Sequence, residues 1–252
     1  MYVFPIASSS EGNCTYIRTR HTGLLIDCGI SLRGLMASIG PDDMRRIDAI
    51  IITHEHGDHV KGLGAIGRKL APTPVYIHPN SARCIRQNLK KVNLNPLWLT
   101  SEIKLNDITI SPFQAVHDTA EAVGFFIEET AGVKMVYLTD SGFVSPSAKN
   151  YFEKASALFI ESNYDEIGLD DFPEYPLWHK NRIRKTHLCN DQTLDVIEKH
   201  GVNSFDTIIM GHLSPRTNRP HWVQNGFERR FPDFRGEFVI APTETPIQIK
   251  SG

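Results

Sequence analysis

The sequence predicts a mixed α/β protein built as a four-layer αββα sandwich. Three observations predict it: β-rich runs fall into two halves that each carry helical segments, several of those runs are continuously apolar, and no linker or low-complexity tract divides them. At 252 residues, with 40% hydrophobic and 22% charged residues, the chain is long enough for a large core and too apolar for disorder, so one domain over residues 1–252 is expected.

The opening is β. Residues 2–7, 15–18 and 24–27 are short β-rich runs separated by a Ser/Gly loop and a His-Thr-Gly turn, which reads as a meander. Ser31 stands where it caps a helix running to about residue 39. Residues 47–53, IDAIIIT, then form a run apolar enough to be buried on both faces. A helix over 60–70, a strand over 72–77 and a helix over 81–89 continue the alternation, with Gly57 read as the residue that lets the preceding loop turn tightly.

Strands are expected at 108–113, 123–127 and 134–138, with Gly132 in the last turn. The second half resumes alternation with a buried strand at 157–160, a helix over 192–200 stopped by Gly201, and a buried strand at 207–210. β runs near 238–241 and 247–249 close the chain.

Composition excludes little by itself. A formal net charge of −2 argues against a strongly basic nucleic-acid coat protein, leaving only local basic patches to meet a phosphate backbone. The first twenty residues lack a cationic start with a long apolar core, and no apolar run reaches membrane-span length, so a soluble cytoplasmic protein without membrane association is expected. Cys14, Cys28, Cys84 and Cys189 form no Cys-x-x-Cys pair and read as reduced thiols.

The chemistry-bearing segment is THEHGDHVKG, which puts His54, His56, Asp58 and His59 just after the buried strand. Imidazoles and a carboxylate suit Zn²⁺ or a similar first-row ion, and four such groups in one short loop exceed what one ion readily takes. Further candidates stand just past other strand ends: His117, Asp140 after VYLT, and His212 after TIIMG. Strand termini converging at one sandwich edge would gather these distant residues around one point.

The series His54-x-His56-x-Asp58-His59, His117, Asp140, His212 resembles the ligand set of the metallo-β-lactamase superfamily, and Asp27 in LLIDCG resembles its early structural aspartate. The resemblance implies two divalent metal ions, Zn or Mn: His54, His56 and His117 hold one, Asp58, His59 and His212 the other, and Asp140 bridges them. SSSEGNCTYI, LLIDCGIS, THEHGDHVKGLG, VHDTAEAVGF, LTDSGFVS, ALFIESNYD, THLCN and GHLSPRTN further resemble the YycJ/WalJ-like branch, described as DNA-processing exonucleases. That branch carries a histidine where this chain has Tyr164 and a serine where it has Cys189.

Two cations about 3.5–4 Å apart lower the pKa of a water between them and clamp a phosphate, so a metal-dependent phosphodiesterase or exonuclease acting on nucleic acid is expected. Asp58 is the candidate to orient the water or take its proton, and His187 in THLCN the candidate acid or phosphate contact. Tyr164 remains a possible donor, with an ordinary pKa near 10. Lys180, Arg182 and Arg184, with Lys185, crowd between Asp140 and His212 and are the expected phosphate contacts, either as a substrate guide or as a solvated helix face; Arg216 lines the same rim, and Trp178 is a candidate base platform.

Three other readings stay open: a small-substrate hydrolase acting on a cyclic nucleotide, thioester or lactam, a diiron redox protein, and a noncatalytic binding module. His56, where related diiron proteins have a carboxylate, weighs against the second, and the intact ligand series against the third. Oligomeric state is not encoded in any of these features.

Overall fold

Alternation within single strands decides how the layers stack. In β10 (Lys134–Leu138) Met135 and Tyr137 point to one side and Val136 and Leu138 to the other, and all four are buried. β11 (Ala157–Glu161) repeats this with Ala157 and Phe159 against Leu158 and Ile160. A strand buried on both faces needs a partner layer on each. The computed structural model describes residues 1–85, 87 and 89–250, and it supplies those layers.

The first sheet holds β1 (Tyr2–Ser9), β2 (Gly12–Arg18), β3 (Gly23–Ile26), β4 (Ile47–Ile51), β5 (Pro74–Ile77) and β6 (Asn93–Pro96), with β14 (Ile247–Gln248) beside β1. The second runs β13 (Glu237–Ile240), β12 (Thr207–Gly211), β11, β10, β9 (Ala122–Glu129), β8 (Ile108–Ala115) and β7 (Ile103–Leu105). Each sheet is part antiparallel and part parallel. The expected opening meander is β1 to β3, antiparallel throughout, and β3 to β6 are parallel.

Between the sheets lies a core that includes Ile26, Ile51, Phe125, Met135, Phe159 and Ile209. Outside the first sheet, Leu25, Ile50 and Ile52 pack with Leu35 and Ile39 of α1 (Leu32–Arg45) and, past the short α2 (Gly57–Val60), with Leu63 and Ile66 of α3 (Leu63–Leu70). α4 (Pro79–Cys84) and α5 (Lys149–Phe152) follow β5 and β10, and α6 (Glu166–Asp170) and α7 (Leu177–Thr186) follow β11. Outside the second sheet, Leu158, Ile160 and Met210 pack with Leu194 and Ile197 of α8 (Asn190–His200) and Val223 and Phe227 of α9 (Pro220–Arg230). The αββα order expected from the sequence is the one observed.

Departures from the expected elements have local causes. Ser31 caps α1 by accepting from the Gly34 amide, but Gly40 at φ 67° and Pro41 kink the helix beyond Ile39. The helix expected over 60–70 begins earlier and is split, because α2 starts at Gly57 and puts Asp58 and His59 on a helical turn. The helix expected to reach 89 ends at Cys84, since Ile85 is extended; residues 86 and 88 lie outside the described residues. Strands β6 and β7 and helices α6 and α9 were not anticipated, being short, or polar enough to hide an apolar face. Among the described residues no helix is long and apolar enough to cross a membrane.

Candidate metal centre

All the parallel strands of the two sheets that end near one another deliver a polar residue at the same edge: Asp27 after β3, His54 after β4, Asp140 after β10, Glu161 at the end of β11 and His212 after β12. His117 follows β8, two places from β10 in the same sheet. Asp27, Asp140 and His212 have φ of 61°, 55° and 53°, left-handed backbone that costs a non-glycine residue about 1–2 kcal/mol. This conformation swings each side chain out of the strand's alternation and into the edge.

Asp27 braces the histidine segment from beneath. Its Oδ1 accepts from the Thr53 amide at 2.8 Å and its Oδ2 accepts from His59 Nδ1 at 2.8 Å. Gly29, two residues on, is obligatory: a Cβ there would lie 1.6 Å from the Asp58 carbonyl oxygen. Gly57, read from the sequence as the turn-making glycine, has no positive φ and nothing within 4 Å of where its Cβ would stand, so the tight approach is supplied by Gly29 instead.

One arrangement recurs around the ring nitrogens. His59 gives Nδ1 to Asp27; His117 gives Nδ1 to the Thr186 carbonyl at 2.8 Å; His212 gives Nδ1 to Asn13 Oδ1 at 3.0 Å; His54 Nδ1 lies 3.1 Å from Thr53 Oγ1. Holding the proton on Nδ1 turns each Nε2 lone pair inward. There His59 Nε2 lies 3.1 Å from Asp140 Oδ2 and 3.3 Å from Asp58 Oδ2, and His212 Nε2 lies 3.1 Å from Asp140 Oδ1. His117 Nε2 is 3.2 Å from His56 Nδ1 and 3.6 Å from Asp140 Oδ1.

These are acceptors facing acceptors. Among the described residues, His54 Nε2 and Asp140 Oδ2 are buried with no hydrogen-bond partner. Asn13 Nδ2 lies 3.1 Å from His59 Nε2, but lone pairs this crowded and this short of donors are costly unless a cation lies among them, so the residues fit divalent metal. The ligand atoms of His54, His56 and His117 lie within 4.8 Å of one another, as do those of Asp58, His59 and His212, and those of His54, His59 and Asp140. Burial, with the neighbouring His59, holds His54 well below the usual histidine range, and burial also lowers His117, which keeps both neutral and ready to ligate. Burial pushes Asp140 up; without a cation, charged His212 and His59 outweigh it and hold the carboxyl well below its usual range. Burial lowers those two rings but Asp140 raises both, and a bound cation would take over that charge and leave the rings neutral to ligate.

His187 is brought to the same place. It follows α7 in extended conformation, its ring stacked at 5.5 Å on His212 and edge-on at 4.8 Å to His117. Its Nδ1 donates to Glu161 Oε2 at 3.0 Å, while Glu161 Oε1 accepts from the Ser141 amide at 2.6 Å and the Leu188 amide at 3.3 Å. Sequence reasoning passed over Glu161 and Asn13. The signal for Glu161 was a carboxylate closing the apolar run ALFI; Asn13, which also donates to Asp58 Oδ2 at 3.2 Å, gave none.

The other predicted residues are placed elsewhere. Tyr164 is fully buried with Leu169, Ile183 and Cys189, and its hydroxyl donates to Glu166 Oε1 at 3.4 Å rather than facing the ligands. Burial, then Cys189 and Glu166, raise its pKa, so the structure does not present it as a proton donor to the centre. The basic segment is helical, and Lys180, Arg182 and Arg184 are engaged. Arg182 forks onto Asp118 at 2.5 and 2.9 Å, Arg184 reaches Glu166 at 3.1 Å and Asp170 at 2.5 Å, and Lys180 donates to the Asp170 carbonyl at 2.6 Å. Arg182 and Arg184, read as phosphate contacts or a solvated helix face, thus form ion pairs that tie α7 to its neighbours. Arg216 stands over the Tyr175 ring at 6.0 Å, and Trp178 is 69% exposed.

A two-sheet αββα sandwich with this ligand edge defines a metal-dependent hydrolase. The chain belongs to the metallo-β-lactamase superfamily: the model of the beta-lactamase superfamily domain matches residues 22–208. Within it the chain is 30% identical over 220 residues to exodeoxyribonuclease YycJ of Bacillus anthracis, covering 84% of this chain and 82% of that one. It is 32% identical over 225 residues to exodeoxyribonuclease WalJ of Streptococcus pneumoniae, covering 84% and 81%. Its fold is similar to that of the metallo-β-lactamase fold protein YhfI from Bacillus subtilis, with a TM-score of 0.75 at 17% identity over 98% of this chain and 99% of that one.

Proposed function

We propose that this chain is a single-domain DNA exonuclease that hydrolyses phosphodiester bonds with two divalent cations. His54, His56 and His117 would hold one, Asp58, His59 and His212 the other, with Asp140 between them. The observation that carries the reading is the set of Nε2 lone pairs turned onto Asp140, each by a fixed partner on Nδ1. The imidazole-rich donor set suits first-row ions such as Zn²⁺ or Mn²⁺. Bound cations supply Lewis-acid polarisation of the phosphate and of the attacking water.

The chain's residues do the rest. Asp58, half-buried and steadied by Asn13, accepts the proton of the attacking water. His187 delivers a proton from Nε2 to the leaving oxygen, because Glu161 fixes its Nδ1 hydrogen and stabilises the charged ring. DNA as the substrate is supported by the named activity of the relatives at 30–32% identity. The unpaired thiols Cys14, Cys28, Cys84 and Cys189 support action in the reducing cytoplasm.

The test is metal analysis of purified protein together with a screen against bis-p-nitrophenyl phosphate, single- and double-stranded DNA, RNA and a thioester. Close to two equivalents of metal and DNA shortened from an end are expected. Activity surviving exhaustive metal removal excludes the mechanism, and turnover of the thioester alone returns a small-substrate hydrolase.

A further inference from the structure

His212 begins the stretch 212–219 that leads from β12 into α9, and this stretch is bonded to the residues before α6. The Ser214 amide donates to the Asn163 carbonyl at 2.8 Å, and the Asp165 amide to the Thr217 carbonyl at 3.1 Å. Asn163 Nδ2 in turn donates to the His212 carbonyl at 3.0 Å. Over this junction opens a groove of about 620 Å³ between α6 and α9, walled by Ile167, Phe172, Arg216, Arg219, Trp222 and Arg229. Gly168 closes its floor: a Cβ there would lie 2.5 Å from the Thr217 carbonyl oxygen and 3.0 Å from the Trp222 ring.

The groove pairs arginine with aromatic faces. The Arg219 guanidinium lies 5.7 Å from the Trp222 ring centre, and Arg216 lies 6.0 Å from that of Tyr175. Trp222 is 38% exposed and Ile167 73% exposed. Among the described residues neither Arg216 nor Arg229 has a carboxylate within ion-pair distance. Two acids also line the groove; Asp165 spends Oδ1 on capping α6 by accepting from the Gly168 amide at 2.9 Å, and Asp171 is exposed. Three arginines against two aspartates leave a small positive excess, so charge alone cannot provide much affinity, and the exposed indole must contribute.

We propose that this groove holds a single-stranded stretch of DNA continuous with the strand being cut, with an unpaired base taking the place of the Arg219 guanidinium against the Trp222 ring and Arg216 and Arg229 meeting its phosphates. Duplex DNA hides its base faces, whereas an unpaired strand offers both the ring face that an exposed indole takes and the phosphates that free guanidiniums take. The occupant's identity rests on the exonuclease reading; the shape and chemistry of the groove do not.

The test measures binding by fluorescence anisotropy on the metal-replete protein, using a phosphorothioate-linked single strand, the same strand made abasic, and a blunt duplex. Trp222→Ala is expected to weaken binding of the single strand about tenfold, and Trp222→Phe to keep it within about threefold, as removal and retention of one stacking face demand. The abasic strand and the duplex should bind wild type and Trp222→Ala alike. Unchanged single-strand binding in Trp222→Ala, or an equal loss on all three probes, overturns the proposal. Wild-type protein that binds the strand through Trp222 yet cleaves no phosphodiester sinks the exonuclease reading and leaves the groove standing; DNA cleavage with binding indifferent to Trp222 does the reverse.

Discussion

Both ends of the sandwich bury carboxylates among polar neighbours, and they treat them in opposite ways. At the end away from the ligands, Asp107 sits in the turn between β7 and β8 and joins it to the turn between β2 and β3. Its Oδ1 accepts from Thr19 Oγ1 at 2.6 Å and Thr22 Oγ1 at 2.5 Å, and its Oδ2 accepts from the His21 amide at 3.2 Å. At the ligand end Asp140 faces imidazole nitrogens, and among the described residues its Oδ2 has no hydrogen-bond donor. The first carboxylate completes a clamp between the sheets. The second is left incomplete by the protein, and such incompleteness, which costs stability, marks where the fold keeps room for something from outside.

The largest expected effect separates the ends outright. Asp140→Ala should lower phosphodiester turnover by roughly a thousandfold or more and reduce bound metal, while circular dichroism shows a folded protein. Retained metal and turnover would mean that Asp140 belongs with Asp107 as a structural group. His187→Ala comes next: turnover should fall by roughly a hundredfold with metal content intact, since the lost group moves a proton and holds no ion. Loss of metal in that variant would instead make His187 a ligand.

Asp107→Ala is the converse. It leaves two buried threonine hydroxyls and an amide without their acceptor and should destabilise by about 1–3 kcal/mol in chemical denaturation, with turnover of the folded protein unchanged. The pH dependence has a definite sign. Burial pushes the Asp107 carboxyl up, but the hydrogen bonds from Thr19, Thr22 and the His21 amide outweigh it and hold it below the usual range. Its contribution is therefore complete above the unfolded carboxyl's value, about 3.9, and disappears as pH falls through the lower folded value. The gap in stability between wild type and Asp107→Ala should narrow below about pH 4; a constant gap would show that the ionised form does not matter.

The smallest effect concerns α7. Because Arg182 and Arg184 already meet Asp118, Glu166 and Asp170 at a partly exposed surface, replacing both by alanine should change stability by only about 1 kcal/mol and single-strand binding less than Trp222→Ala does. A larger loss of DNA affinity would return the phosphate-guiding role to α7.

What the sequence could and could not reveal follows from the range of the forces involved. The buried strands and the ligand series were readable because apolar runs and polar residues at their ends are local patterns, and every predicted ligand from His54 to His212 stands at the common edge. Partners chosen across the fold were not readable. Asn13 meets His212 from the other half of the chain, and Glu161 meets His187 from a different element. The ion pairs of Arg182 and Arg184 were hidden in the same way, because Asp118, Glu166 and Asp170 approach them only in three dimensions. Gly57 reads as the demanding glycine because it stands in the ligand loop, and only the position of the Asp58 carbonyl transfers that demand to Gly29.

The left-handed backbone at Asp27, Asp140 and His212 has a bearing on descent. Three non-glycine residues in that conformation stay fixed only while their side chains earn their strain. At Asp140, whose Oδ2 meets no hydrogen-bond donor among the described residues, a lineage that abandoned the reaction would lose little by exchange for glycine, which takes this backbone without strain, whereas loss of Asp27 would leave the Thr53 amide and His59 Nδ1 without their acceptor. Glycine at position 140, ahead of any change in the histidines, would then be the earliest trace of a relative drifting from enzyme to scaffold, and it could be read from an unaligned chain by its position after the buried strand.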